Sequence, residues 1–178
     1  MNIQLSHKIG FLVVIDEVWS SGPSIPPADP YDRAYARSWA AYLNVKFFPT
    51  VKSIAVALDD SGKSSLFKEV EEGLVLLEEA FKKCSKGKSF FGGDQIGYLD
   101  IALGGILGWM RVVERFDGVE LFNDAKTPAL LKWSQTFSSH PAVKDVMPDT
   151  DNLVDYAKDF VAKKRAAAAA APPSLPLN

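Results

Sequence analysis

The residues able to do chemistry are few, and their neighbours decide what each can do. Asp100 stands in Ile96-Gly97-Tyr98-Leu99-Asp100-Ile101, directly ahead of a long apolar run. A carboxylate beside a buried helix can act as a catalytic acid or base, or can hold the helix start through backbone N–H groups. The spacing favours the second role. Gly97 takes the N-cap, Asp100 at the third helical position returns its carboxylate to the Gly97 N–H, and Ile96 and Ile101 are placed for a hydrophobic staple. These four residues are the expected structural cap. Cys84 lies among Lys82, Lys83, Lys86 and Lys88, which favour a thiolate, yet it falls at a predicted helix C-terminus, whose carbonyls disfavour one. A solvated surface cysteine is the expectation. Gly92-Gly93-Asp94 lacks the following lysine of a phosphate-cradling loop. One cysteine and two histidines, His7 and His140, exclude a cysteine- or histidine-rich metal site. No seryl nucleophile elbow, Walker loop or dinucleotide fingerprint occurs. The residues themselves therefore predict no catalytic residue, no metal and no bound cofactor.

Composition sets the surroundings. The 178 residues are 47% hydrophobic and 24% charged, enough for one compact domain with a real core and a possible appendage. Twenty Lys and Arg against 22 Asp and Glu leave a net charge of −2, with no basic surplus for nucleic acid. A single cysteine fits a reducing compartment, so a cytoplasmic location is expected. The apolar stretch Ile9–Ile15 runs into Asp16-Glu17 with no small-residue cleavage site, which argues against a signal peptide. The run from Ile101 to Val113 is shorter than the roughly 17–25 residues of a spanning helix and contains Arg111, so no membrane span is expected.

The elements that must position these residues read as helices throughout. Ser20–Pro30 holds four prolines and reads as a linker. From Tyr31 to Phe48, Tyr35, Trp39, Tyr42 and Leu43 fall on one stripe. Pro49 should kink that helix, which continues through Val51, Ile54, Ala55 and Leu58. After a turn at Asp59–Ser65, the steps Leu66, Val70, Leu74, Leu77 and Phe81 predict an amphipathic helix ending near Gly87. Tyr98–Phe116, apolar on nearly every side, should be the central helix, with Gly104 and Gly108 admitting a close neighbour. Thr127-Pro128 reads as an N-cap and first position of a helix to about Ser138. A short helical turn follows at His140–Val146. The last helix, Asp149–Arg165, should turn Leu153, Tyr156, Ala157 and Phe160 inward and carry Lys163-Lys164-Arg165 at its negative end. No β alternation follows Trp19. The fold class is all-α.

The pieces IDEVW (15–19), DPYDRAYARSWAAYL (29–43), FFGGDQIGYLDIALG (90–104) and LLKWSQTFSSHPAVKDVMP (130–148), with the closing helix, carry a resemblance. From about Ile15 to Arg165 the chain resembles the C-terminal helical domain of plant tau-class glutathione S-transferases. The resemblance implies a helical bundle of five or six helices: a thioredoxin-like remnant over 1–19, a linker over 20–30, the helical domain over 31–165 and a disordered tail over 166–178. It implies glutathione as co-substrate, conjugated to hydrophobic electrophiles in detoxification, and a chain that pairs as a homodimer or heterodimer. It also maps a hydrophobic-substrate pocket onto Pro49, Ser53 and Val56 on the kinked helix, Trp109 on the core helix, and Tyr156 and Phe160 on the last. For each of these, core packing is the competing role. The chain departs from the family's pattern in its first residues. Where relatives carry a Glu-Ser pair for the γ-glutamyl end of glutathione, it has His7-Lys8. The thiol-activating serine and most of the glutathione site have no counterpart. The expectation is thus a truncated family member with impaired conjugation; the alternative is a non-catalytic helical module that binds apolar ligands or pairs with an intact subunit.

Overall fold

The computed structural model describes residues 25–57 and 61–170. Among them are six α-helices: α1 (Pro30–Tyr42), α2 (Phe48–Ala55), α3 (Lys63–Ser85), α4 (Tyr98–Asp117), α5 (Pro128–Ser139) and α6 (Thr150–Ala170). No strand occurs among the described residues; Phe90 and Gly93 form an isolated bridge. The expected remnant over 1–19 and residues 171–178 lie outside the described residues.

α1 and α2 form one bent rod, and the bend has a defined cause. Pro49 sits in the first turn of α2 and brings no N–H to the ladder. The backbone absorbs this upstream in a π-helical turn, Leu43–Phe47, in which the Phe48 N–H reaches the Leu43 carbonyl. The Thr50 hydroxyl donates to the Lys46 carbonyl at 3.0 Å. The face of α1 also differs from expectation. Ala36, Ala40 and Leu43 are buried, whereas Tyr35, Trp39 and Tyr42 are only half-buried and form a ladder of neighbouring rings along the helix, extended at its exposed end by Tyr31. Small side chains let α1 lie close to α4, and the bulky rings are displaced to the flank.

α4 is the hub. It packs against α1, α2, α5 and α6, and Leu103, Ile106, Leu107 and Met110 are fully enclosed, each worth roughly 1.5–3 kcal/mol of apolar burial. Its glycines divide the labour. A Cβ on Gly104 would run into the Phe137 ring of α5, and one on Gly108 would come within 2.7 Å of Leu153 on α6. These two glycines are the close-approach points the sequence pattern predicts.

The start of α5 is held by a different group from the one expected. Thr127 occupies the N-cap of α5 without capping it, its hydroxyl being engaged with the backbone of Asn123. The capping acceptor is Glu78 of α3, buried to 1% exposure, which receives the Ala129 and Leu130 N–H groups at 3.1 and 2.8 Å. Asp149 caps α6 through the Asp151 and Asn152 N–H groups. α6 also runs on to Ala170, past the point where the tail was expected to begin at residue 166. Alanine has the highest helix propensity and continues the helix, so Lys163 and Lys164 stand inside it rather than at its end.

Candidate functional site

Two constellations gather the chemistry-bearing residues, and α4 supplies both. The first is built on Asp100, whose side chain is completely buried. Oδ2 accepts from the Gly97 N–H at 2.8 Å and the Gly92 N–H at 3.0 Å; Oδ1 accepts from the Phe91 N–H at 2.9 Å and the Trp133 indole N–H at 2.7 Å. Gly97 is the N-cap, but glycine has no side chain to return a bond, so only the acidic half of a capping box is present. Gly92 and Gly97 meet backbone to backbone: a Cβ on Gly92 would lie 2.8 Å from the Gly97 Cα. Phe91 stacks edge-on between Phe81 and Trp133. Burial pushes the Asp100 carboxyl above its ordinary value, while the N–H donors, Gly97 first, pull it back down. With every lone-pair direction taken and no exposure, Asp100 ties the 90–97 loop to α4 and α5 and touches nothing that could enter from solvent.

The second constellation is open. Trp109 on α4 meets Tyr156 on α6 edge-on, ring centroids 6.4 Å apart, and Tyr156 stacks on Phe160 at 6.5 Å. Trp109 and Phe160 are half-buried. Tyr156, expected to face inward, is 59% exposed; Val154 and Ala157 form the buried face of α6 instead. The three aromatics are thus brought together in one strip. Pro49 and Ser53 stand on α2 and Val56 at its C-cap; α2 reaches α4 through buried Val51, Ile54 and Ala55. Pro49 is half-buried, Ser53 exposed and Val56 buried, and none of the three shares a ring contact with the strip. Trp109 also walls a cleft of about 770 Å³ bounded by α4, the end of α5, the 140–148 turns and the start of α6. Ile96 and Ile101, expected to staple the cap, both line that cleft.

The remaining candidates lose reactivity. Cys84, expected at the solvated surface, is half-buried. Burial pushes its thiol up, aided by Asp32 and Asp100, and outweighs the downward pull of Lys83 and Lys86. Among the described residues no group of three or more His, Cys, Asp or Glu stands close enough to hold a metal ion, and no helix is long and apolar enough to cross a membrane. His7 and Lys8 lie outside the described residues. The feature missed by sequence reasoning is the Gly105 floor of the cleft; its signal was a second adjacent glycine inside a strong helix, where only Gly104 has a packing partner.

Comparison with known proteins fits this architecture. Residues 38–141 match the family model for the glutathione S-transferase C-terminal domain. The chain is 51% identical over 153 residues to glutathione S-transferase U18 of Arabidopsis thaliana, and 50% identical over 153 residues to U17 of the same plant; each alignment spans 85% of this chain and 67% of the relative. The chain thus spans about two thirds of the length of these relatives. Among solved structures, a tau-class glutathione S-transferase from mango (Mangifera indica) superposes with a TM-score of 0.77 at 55% identity, covering 83% of this chain and 67% of that one. A rice glutathione transferase solved with glutathione shares the fold at a TM-score of 0.74 and 24% identity, over 87% of this chain and 70% of its own.

Proposed function

Because this chain belongs to the glutathione S-transferase family, in its tau class, through the C-terminal helical domain, we propose that the Trp109–Tyr156–Phe160 strip receives the hydrophobic electrophile to which glutathione is conjugated. The observation that carries this reading is the strip itself: three aromatic rings on two helices, one of them largely exposed, with the Lys164 ammonium 6.0 Å over the Phe160 ring at its end. Such rings offer large apolar area and a polar edge, suited to orienting a flat electrophile. Pro49, Ser53 and Val56 are assigned to the same substrate surface by resemblance alone; Val56 is buried.

In conjugation, the thiolate sulfur of glutathione bonds to the electrophilic carbon and the leaving group departs with its electron pair. The helical domain's part is to hold the electrophile against apolar walls so that the reacting atoms meet in a fixed geometry. Ionising the thiol needs donors aimed at the sulfur. At the positions that resemble the γ-glutamyl contacts, the chain carries His7 and Lys8 in place of Glu-Ser. That replacement favours the second reading: the 178-residue chain by itself binds hydrophobic molecules, or pairs with another subunit, and conjugates slowly. Loss of a single preorganised donor costs about 10²–10³ in rate. We assign the activity to the cytoplasm, where glutathione-dependent detoxification of such electrophiles takes place.

The test is a conjugation assay with a reactive aryl halide. The 178-residue chain is measured beside a chimera that joins residues 20–178 to a complete tau-class thioredoxin-like domain. Conjugation by the chimera at least about 10²-fold above the chain alone is the expected result. Equal rates would place thiol activation within these 178 residues and contradict the reading of His7-Lys8.

A further inference from the structure

The segment Lys82-Lys83-Cys84-Ser85-Lys86-Gly87-Lys88-Ser89 sets two serines behind closely spaced lysines. Each has a lysine three positions before it, Lys82 for Ser85 and Lys86 for Ser89, a cationic spacing that suits the acidic substrate grooves of basophilic protein kinases. The structure separates the two. Ser85 closes α3 and is 2% exposed; a phosphoryl group there would be buried beside the terminal carbonyls of the helix, where negative charge is disfavoured. Ser89 is exposed. It stands past a turn in which Lys86 and Gly87 both take left-handed backbone angles, φ 51° and 83°, closed by the Lys88 N–H on the Ser85 carbonyl at 2.9 Å. Ser89 borders a cavity of about 370 Å³ between the end of α3 and α5. Lys82, Lys88 and Lys132 line that cavity and, among the described residues, no acid does, although the whole chain carries a net charge of −2. Two of the lysines are already paired: Lys82 with Glu78 at 3.4 Å and Glu79 at 3.3 Å, and Lys88 with Asp94 at 3.0 Å. The Lys132 ammonium, exposed on α5, has no anionic partner among the described residues. Ala129, in the first turn of α5, borders the same cavity, and a helix N-terminus favours negative charge.

We propose that Ser89 is a phosphorylation site, modified by a basophilic serine/threonine kinase with ATP, and that its phosphoryl group docks in this cavity against Lys132 and the start of α5. In the transfer, the Ser89 Oγ bonds to the γ-phosphorus of ATP and the bond from that phosphorus to the β–γ bridging oxygen breaks. ADP leaves with the electron pair, and the hydroxyl proton passes to the catalytic carboxylate of the kinase. The product carries a charge of about −1.5 to −2 and three strong acceptor oxygens. It competes with Asp94 for Lys88 but gains Lys132 outright, and so ties the 86–89 turn to α5. None of these residues belongs to the aromatic strip, so the site does not depend on the transferase reading.

The test has two arms, both on the full chain. In the first, the chain is incubated with ATP and the catalytic subunit of the cyclic-AMP-dependent protein kinase, and the modified residue is mapped by mass spectrometry. Phosphoryl transfer to Ser89 and not to Ser85 is expected, with loss of that transfer in Ser89→Ala. In the second, phosphoserine is placed at position 89 during translation, which needs no kinase. The phosphorylated chain should melt about 2–4 °C above the unmodified one. Lys132→Ala should remove that difference, read as phosphorylated minus unmodified within each background, so that any effect of the substitution itself cancels. Absence of transfer to Ser89, or transfer to Ser85 in its place, overturns the modification site. A Tm that does not rise with phosphoserine, or a rise that survives Lys132→Ala, overturns the docking.

Discussion

The Asp100 hub and the Trp109 strip sit nine residues apart on one helix and are built on opposite terms. At the hub every polar atom is committed: four N–H donors converge on a carboxylate with no exposure. At the strip, ring contacts join two helices with no hydrogen bond between the rings, and Tyr156 stands mostly in solvent. Committed polar groups make a site stiff and intolerant of change, because any loss leaves buried donors unpaired. An apolar surface carries no such penalty and can vary while the fold stands. The N-terminal turn of α4 thus fixes the scaffold, and its middle presents an open aromatic surface, the proposed electrophile site.

Breaking the hub should have the largest effect. Asp100→Ala removes the acceptor of four donors, three of them backbone N–H groups, and each buried donor left unpaired costs about 1–3 kcal/mol. A loss of at least about 3 kcal/mol in urea unfolding is expected, beyond the roughly 0.5–2 kcal/mol of an ordinary cap. A cap-sized loss would mean that the hub is only a helix terminus. The adjacent glycines sharpen the contrast between committed and open positions. Gly104→Ala should cost about 1–3 kcal/mol, because its methyl meets Phe137. Gly105→Ala should add up to about 1 kcal/mol of stability, because its methyl meets nothing. Equal effects in thermal unfolding would remove the distinction drawn between them.

The smallest expected effect concerns Glu114, near the far end of α4, which accepts the Leu121 N–H at 2.9 Å. Burial raises its carboxyl above the ordinary value, against the pull of the Leu121 and Phe122 N–H groups. A raised acid favours the folded state while protonated. Its contribution is full below the unfolded value of about 4.3 and is lost as pH rises through the folded value. The Tm difference between the natural chain and Glu114→Gln should therefore shift against the natural chain from pH 4 to pH 7. A pH-independent difference would show that donors and burial cancel, and a shift in favour of the natural chain would show that the donors govern this carboxyl.

Much of this architecture was legible because local rules were obeyed. The Gly97–Asp100 spacing, the Leu66-to-Phe81 periodicity and the all-round apolar character of α4 each pointed to what is observed. Two of the misreadings come from partners distant in sequence. Glu78 caps a helix whose bonded N–H groups lie 51 and 52 residues away, which no local pattern announces, and Thr127, in a standard capping position, is occupied with Asn123. Tyr156 obeys helical spacing with Leu153 and Phe160, yet the buried side of α6 is set by Val154 and Ala157 against α4. The remaining misreading is local: the alanine run after Arg165 has helix propensity but nothing apolar enough to demand burial, so it reads as a tail. Resemblance named the three aromatics of the proposed substrate surface, and the structure sets their rings side by side; the cleft beside them depends on the 140–148 turns, whose path no periodicity predicts.

The account rests most directly on the claim that the aromatic strip holds the electrophile. The measurement is steady-state conjugation of an aryl halide by the chimera with a complete thioredoxin-like domain, with and without Tyr156→Ala/Phe160→Ala. Both residues lie outside the deepest core, so the fold should survive, and unfolding is checked alongside. The account predicts kcat/KM for the aryl halide reduced by about tenfold or more, with KM for glutathione unchanged. An unaltered kcat/KM for the aryl halide in the folded double variant would contradict it.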